Sequence, residues 1–360
     1  MTGKRSNVQK TALIMAGGTG GHIFPGLAVA HTLREQGWRV HWLGAPDSME
    51  SRLVPPQGFA LEMIEFSGVR GKGLRTLALL PWRLLRALWQ SAQVVRRVRP
   101  DVVVGLGGYI SFPAGIMAVL MGKPLVLHEQ NSVAGMANKV LARLSSRIFT
   151  AFPQVLPRGQ WVGNPLRAAF LQQATPQQRF GERQGALRLL VVGGSLGASA
   201  LNSVVPKALA LLAPTQRPVV THQSGERQIE SLRQHYAEAG VSAALTPFID
   251  DTAKAFAEAD IVLCRAGAST VTEIAAVGAA AAFVPFPFAV DDHQTHNARF
   301  LVEQEAAWLL PQSELTPERL AAFIRSTERS VLLQRAVKAK ALEKTGAAHA
   351  VALACEELCA

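Results

Sequence analysis

The chain has 360 residues, 49% hydrophobic and 18% charged, which is enough apolar material for two cores and excludes a disordered chain. Its three cysteines, Cys264, Cys355 and Cys359, include no CxxC pair and suit buried thiols in a reducing compartment, and no apolar run reaches the length of a membrane span. The net charge of +11 is uneven: residues 1–163 hold 19 basic and 7 acidic groups and the remainder 18 and 19, so an acidic partner is expected to meet the first half.

Thr11 to Ala16 is a short apolar run that predicts a buried strand, too short for a signal-peptide core, and it enters Gly17-Gly18-Thr19-Gly20-Gly21. A glycine-rich turn opening a helix lets backbone N–H groups approach phosphate, and the helix dipole adds about half a positive charge there. His22 begins that helix, where an imidazole can take a proton from a sugar hydroxyl near neutral pH. Arg39 to Leu43 predicts the next strand. Between Glu65 and Asp101 no acidic residue occurs, while Arg70, Lys72, Arg75, Arg83, Arg86, Arg96, Arg97 and Arg99 stand among Leu74, Leu77, Leu80, Trp82, Leu85 and Trp89. The spacing predicts a helix from Pro81 to Val98 packing Leu84, Leu88 and Val95 on a sheet, with the loop from Gly68 to Trp82 facing an anionic lipid surface. Nucleic acid is not expected, for the patch has no recognisable binding module and no array of stacking aromatics.

Strands at Asp101 to Gly105 and Pro124 to His128 follow. The first ends in Gly105-Leu106-Gly107-Gly108-Tyr109, a second anion loop; the second ends in His128-Glu129-Gln130-Asn131, where Glu129 rivals His22 as a base. After a hinge at Gly163-Asn164-Pro165 the pattern restarts, with Leu187 to Val192 entering Gly193-Gly194-Ser195-Leu196-Gly197, and strands at Pro218 to His222 and Asp260 to Cys264. Short apolar strands alternating with helices indicate an α/β protein of two Rossmann-like, doubly wound domains facing a central cleft. The expected bounds are 1–163 and 164–344, with a last helix in 345–360 packing back on the first domain.

Ile23 and Leu196 stand where the dinucleotide fingerprint needs glycine, which argues against hydride transfer. The helix start Ala268-Ser269-Thr270-Val271-Thr272-Glu273 offers small residues and then a carboxylate able to accept both hydroxyls of a ribose. Asp292, His296 and Asn297 lack a fourth metal ligand and the chain has no Asp-x-Asp, so neither metal nor other cofactor is expected. The charge of a leaving diphosphate then falls to backbone N–H groups, Ser195 and Arg167.

The series Gly17 to His22, Gly107-Gly108-Tyr109, His128 to Asn131, Gly163-Asn164-Pro165, Gly193-Gly194-Ser195, Phe248-Ile249-Asp250-Asp251 and Thr272-Glu273-Ile274 closely resembles the MurG family of bacterial N-acetylglucosaminyltransferases, in order over about residues 12–300. The resemblance implies a GT-B fold and inverting transfer of N-acetylglucosamine from UDP-N-acetylglucosamine to undecaprenyl-diphosphate-linked muramyl pentapeptide. That is the lipid I to lipid II step of peptidoglycan synthesis, at the cytoplasmic face of the inner membrane. It further implies that Ile249 meets uracil through its backbone, Glu273 the ribose, Ser195 and Arg167 the diphosphate, and Asn131 and Gln294 the donor sugar. Thr19, Gly20 and Gly21 would line the cleft, Gly107, Gly108 and Tyr109 would help seat the acceptor diphosphate, and His22 would be the base. Some relatives carry two glutamines where this chain has His293-Gln294. Two other readings remain open: another GT-B lipid glycosyltransferase, and a UDP-sugar epimerase, which would need no lipid surface.

Overall fold

Alternate residues of β1 (Thr11–Met15) point to opposite faces of a sheet, and both faces are covered. Ala12 and Ile14 join one core with the helices Gly20–Glu35 and Ala347–Leu358, while Leu13 and Met15 join a second with Val94 and Val95 of the helix Leu80–Val98 and Ala114 and Ala118 of the helix Ser111–Leu120. This burial on both sides is why the strand reads as an unbroken apolar run. The computed structural model describes residues 9–68, 79–194 and 196–360.

The chain forms two units. One runs to Arg167 and takes in Thr345–Ala360; the other is Ala168–Lys344, so the division falls just past the Gly163-Asn164-Pro165 turn. The first unit carries a seven-stranded parallel sheet ordered β3 (Ala60–Met63), β2 (Arg39–Gly44), β1, β4 (Val102–Gly105), β5 (Leu125–Glu129), β6 (Arg147–Thr150), β7 (Gln160–Trp161). The second carries six parallel strands ordered β10 (Ala244–Thr246), β9 (Val219–Gln223), β8 (Arg188–Val192), β11 (Ile261–Cys264), β12 (Ala281–Phe283), β13 (Ala307–Leu309). In each sheet the strand order reverses direction at one place, between β1 and β4 and between β8 and β11, and ligands of doubly wound folds gather at the carboxyl ends of such strands. The two units repeat one further device. Asp101 accepts a 2.7 Å hydrogen bond from the Thr11 N–H and Asp260 a 2.8 Å bond from the Arg188 N–H, each carboxylate standing just before one central strand and pinning the start of the other.

One expectation is corrected. The helix Leu80–Val98 buries Ala87, Ser91, Val94 and Val95; Leu84 and Leu88 are only half-buried, because the inward stripe is turned toward the small residues that let the helix lie close to its neighbour. Six strands gave no clear sequence signal. β12 is the plainest case: Ala281 and Ala282 are poor strand formers, and their place is set by complete burial between β11 and β13.

Candidate active site

The loops after β1 and β4 lean on each other. Gly108 has φ +85°, and a Cβ there would lie 2.3 Å from the Gly17 carbonyl oxygen. Gly107, at φ +92°, would bring a Cβ within 2.9 Å of His22 Nδ1. Both positions therefore require glycine for conformation and for space. Ser111 locks the second loop to the first strand, its hydroxyl donating to the carbonyls of Met15 and Gly107. Beneath the first loop lies Glu50, fully buried, whose carboxylate accepts from the Gly18 N–H at 3.1 Å and the Ala45 N–H at 3.2 Å. Sequence reading missed Glu50, which has no motif around it. Tyr109 covers the loop from outside, close to Gly18, and burial with the added charge of Glu50 pushes its hydroxyl pKa upward.

Thr19 caps the helix Gly20–Glu35 by backbone alone, its hydroxyl making no cap bond. The first-turn N–H groups of any helix lack intrahelical partners, so Gly20 and Gly21 present donors. His22 is half-buried, and its Nδ1 lies 2.9 Å from Gln130 Oε1. Gln130 Nε2 in turn lies 3.0 Å from His128 Nδ1, and His128 Nε2 2.9 Å from the Gly163 carbonyl. Burial pulls the His128 pKa down to about 4, only partly offset by that carbonyl, so the ring is neutral at physiological pH.

Glu129, the rival base, is buried and engaged. One oxygen accepts from the Asn131 N–H at 2.9 Å, the other from the Gly135 N–H at 3.2 Å and Asn138 Nδ2 at 2.8 Å. These bonds fold the loop that carries Asn131. Arg167 is exposed at the end of the first unit, its guanidinium 5.7 Å from the Phe24 ring.

In the second unit the glycine loop after β8 is tied into its own turn. The Gly193 N–H donates to the Gln223 carbonyl, the Gly194 N–H to Gln223 Oε1 and the Gly197 N–H to the Gly194 carbonyl. Those three amides hold the turn. Gln223 also donates to the carbonyls of Gly194 and Pro247, tying this loop to the segment that carries Ile249. Ser195 lies outside the described residues, as do Arg70, Lys72, Leu74, Arg75 and Leu77.

The helix Ala268–Val277 starts after β11 with Gly267 as its cap, and its first-turn N–H groups lack intrahelical partners. The buried Ser269 Oγ has no partner among the described residues. Val271 is fully buried with its N–H on the Gly267 carbonyl, and Thr272 turns its hydroxyl back to the Ala268 and Ser269 carbonyls. Thr270 and Glu273 are half-buried, and the Glu273 charge adds to the burial that drives the Cys264 thiol pKa upward, which places its carboxylate by the end of β11. Ile249 is half-buried; Gln294 accepts from the Phe286 N–H at 2.9 Å through Oε1, which leaves its NH₂ group as a donor. Asn297 is buried and holds the Ala266 carbonyl, and no three His, Cys, Asp or Glu side chains among the described residues group as metal ligands.

Residues 12–150 match the glycosyltransferase family 28 N-terminal domain and residues 188–353 the glycosyltransferase family 28 C-terminal domain. The UDP-N-acetylglucosamine--N-acetylmuramyl-(pentapeptide) pyrophosphoryl-undecaprenol N-acetylglucosamine transferase of Albidiferax ferrireducens is 71% identical over 97% of this chain and 91% of its own. The protein of that name from Paracidovorax citrulli is 70% identical over 98% and 99%. The crystal structure of Acinetobacter baumannii MurG matches with a TM-score of 0.84 and 40% identity, covering 97% of this chain and 99% of that one. The chain belongs to the MurG family. The two parallel, doubly wound units are accordingly those of a MurG-type GT-B glycosyltransferase.

The loop contact gives a test. Gly108→Ala should lower stability by about 2 kcal/mol or more and reduce transfer sharply, read by thermal unfolding and turnover. Gly181→Ala, with no atom in the way of its Cβ, should leave both unchanged.

Proposed function

We propose that this protein transfers N-acetylglucosamine from UDP-N-acetylglucosamine to the 4-hydroxyl of the muramyl sugar in undecaprenyl-diphosphate-linked muramyl pentapeptide, converting lipid I to lipid II. The observation that carries the reading is His22, an imidazole at the head of a glycine-loop helix with one ring nitrogen held by Gln130, in a MurG-family chain. The acceptor oxygen attacks C1 of the donor sugar, the bond from C1 to the β-phosphate oxygen breaks, and UDP departs with the electron pair. One displacement inverts C1 and gives a β-1,4 linkage. His22 takes the hydroxyl proton, a role that contributes about 10²- to 10⁴-fold in rate.

Donor binding falls to the second unit, with Ile249 at uracil through its backbone and Glu273 at the ribose. Ser269 and the first-turn amides of its helix meet the diphosphate with Ser195 and Arg167, supplying positive potential where the leaving group gains charge. Asn131 and Gln294 contact the donor sugar. Thr19, Gly20 and Gly21 line the acceptor side, and Gly107, Gly108 and Tyr109 seat the acceptor diphosphate.

The protein docks peripherally on the anionic cytoplasmic face of the inner membrane. Trp82, Leu85 and Trp89 recur at helical spacing and are 71%, 60% and 62% exposed, with Leu79 beside them. Arg83 and Arg96 have no acidic partner among the described residues, while Arg86 pairs with Glu65 and Arg97 with Glu62. Such a face suits the lipid interface, where each basic residue contributes about 1 kcal/mol. Among the described residues no helix is long and apolar enough to cross a membrane.

The deciding assay is transfer of radiolabelled N-acetylglucosamine to a short-chain lipid I analogue, with diacylglycerol in parallel and a chelator present. Product with the lipid I analogue alone is expected; transfer to diacylglycerol, or epimerised UDP-sugar, overturns the acceptor named here. For the membrane face, Trp82→Ser with Trp89→Ser should weaken binding to anionic liposomes by about tenfold or more, since burial of each indole contributes on the order of 1 kcal/mol. Turnover on the short-chain acceptor should persist, and unchanged liposome binding would remove the docking face.

A further inference from the structure

We propose that Gln130 and His128 are positioning residues that fix His22 in its Nδ1–H tautomer, leaving Nε2 as the bare nitrogen that accepts the proton; this rests on the reading of His22 as the base.

The assignment runs through three hydrogen bonds and starts from an atom with one possible role. The Gly163 carbonyl oxygen only accepts, so His128 Nε2, 2.9 Å away, carries the hydrogen. His128 is fully buried and neutral, so its Nδ1 is bare. Gln130 Nε2 sits 3.0 Å from that nitrogen and 3.2 Å from the His128 carbonyl, two acceptors, and the amide must therefore turn its NH₂ group toward them. Its carbonyl oxygen is left facing His22 Nδ1 at 2.9 Å. An amide oxygen cannot donate, so Nδ1 bears the hydrogen, and a neutral imidazole has only one.

The surroundings keep this arrangement in place. Gln130 is 1% exposed and His128 0%, so water does not compete for either. Gly107 lies against the bond itself: a Cβ there would come within 2.9 Å of His22 Nδ1 and 3.4 Å of Gln130 Oε1. A catalytic histidine is commonly oriented by a carboxylate behind it. Here the orienting group is a neutral amide, which fixes the tautomer and steadies the imidazolium once formed without setting a negative charge beside a site that takes diphosphates.

The test uses the full chain with ¹⁵N-labelled histidine. Long-range ¹H–¹⁵N correlation should show His22 with a protonated Nδ1 and a bare Nε2. In Gln130→Leu the ring should become a mixture of tautomers, with kcat lowered by about tenfold to a hundredfold and KM for UDP-N-acetylglucosamine unchanged. Gln130→Glu, which keeps an oxygen opposite Nδ1, should restore the Nδ1–H form. Should Gln130→Leu fail to fold, the wild-type spectrum is decisive by itself. A His22 that carries its hydrogen on Nε2, or an unchanged kcat in Gln130→Leu while His22→Ala is inactive, overturns the proposal and leaves His22 as base. Wild-type turnover by His22→Ala overturns the base and the proposal together.

Discussion

The close passage of the Gly108 backbone over Gly17 is the constraint on which the first unit's site depends. It brings the loops after two adjacent strands, β1 and β4, into contact at the point where the strand order reverses. With no side chain between them, the amides of one loop and the imidazole that follows it lie beside the other loop. Glu50 below and Ser111 to the side hold the pair, so the peptide groups stay in place when a ligand arrives. That preorganisation is what an anion site needs, because donors already fixed do not have to reorganise as charge develops.

The second unit holds its glycine loop differently. Its glycine loop is held by side-chain amides, with Gln223 on Gly194 and Gln228 on the Leu196 carbonyl, and the N–H groups of Gly193, Gly194 and Gly197 are engaged. On the helix after β11 the buried Ser269 hydroxyl has no partner among the described residues, and Glu273 follows one turn later. Two glycine loops that look alike in sequence thus differ in what their amides touch.

Sequence reading was clearest where one residue type has one physical use. The Val-, Ile- and Leu-rich central strands are buried on both faces and announce themselves, whereas β12 is alanine-rich and β7 is two residues long, so their places are fixed by neighbours far along the chain. The glycine loops and His22 were legible from local spacing. Gln130 was visible as part of a motif, but its partner His22 is 108 residues away, and no local signal assigns it a role. The anchoring of the loop after β8 was illegible for the same reason: Gln223, which occupies the Gly194 amide, comes from the next strand. Glu129 stands in the sequence as a rival base to His22; the amides that occupy its carboxylate are supplied by residues two to nine positions on.

The central claim is a division of labour, with the nucleotide sugar held by the helix that carries Glu273 and the proton taken by His22. Calorimetric titration of UDP-N-acetylglucosamine into the wild type, Glu273→Ala and His22→Ala tests it directly. The account predicts that Glu273→Ala loses most donor affinity while His22→Ala binds donor as the wild type does. Equal loss of donor affinity in His22→Ala would contradict it and make His22 a donor-binding residue.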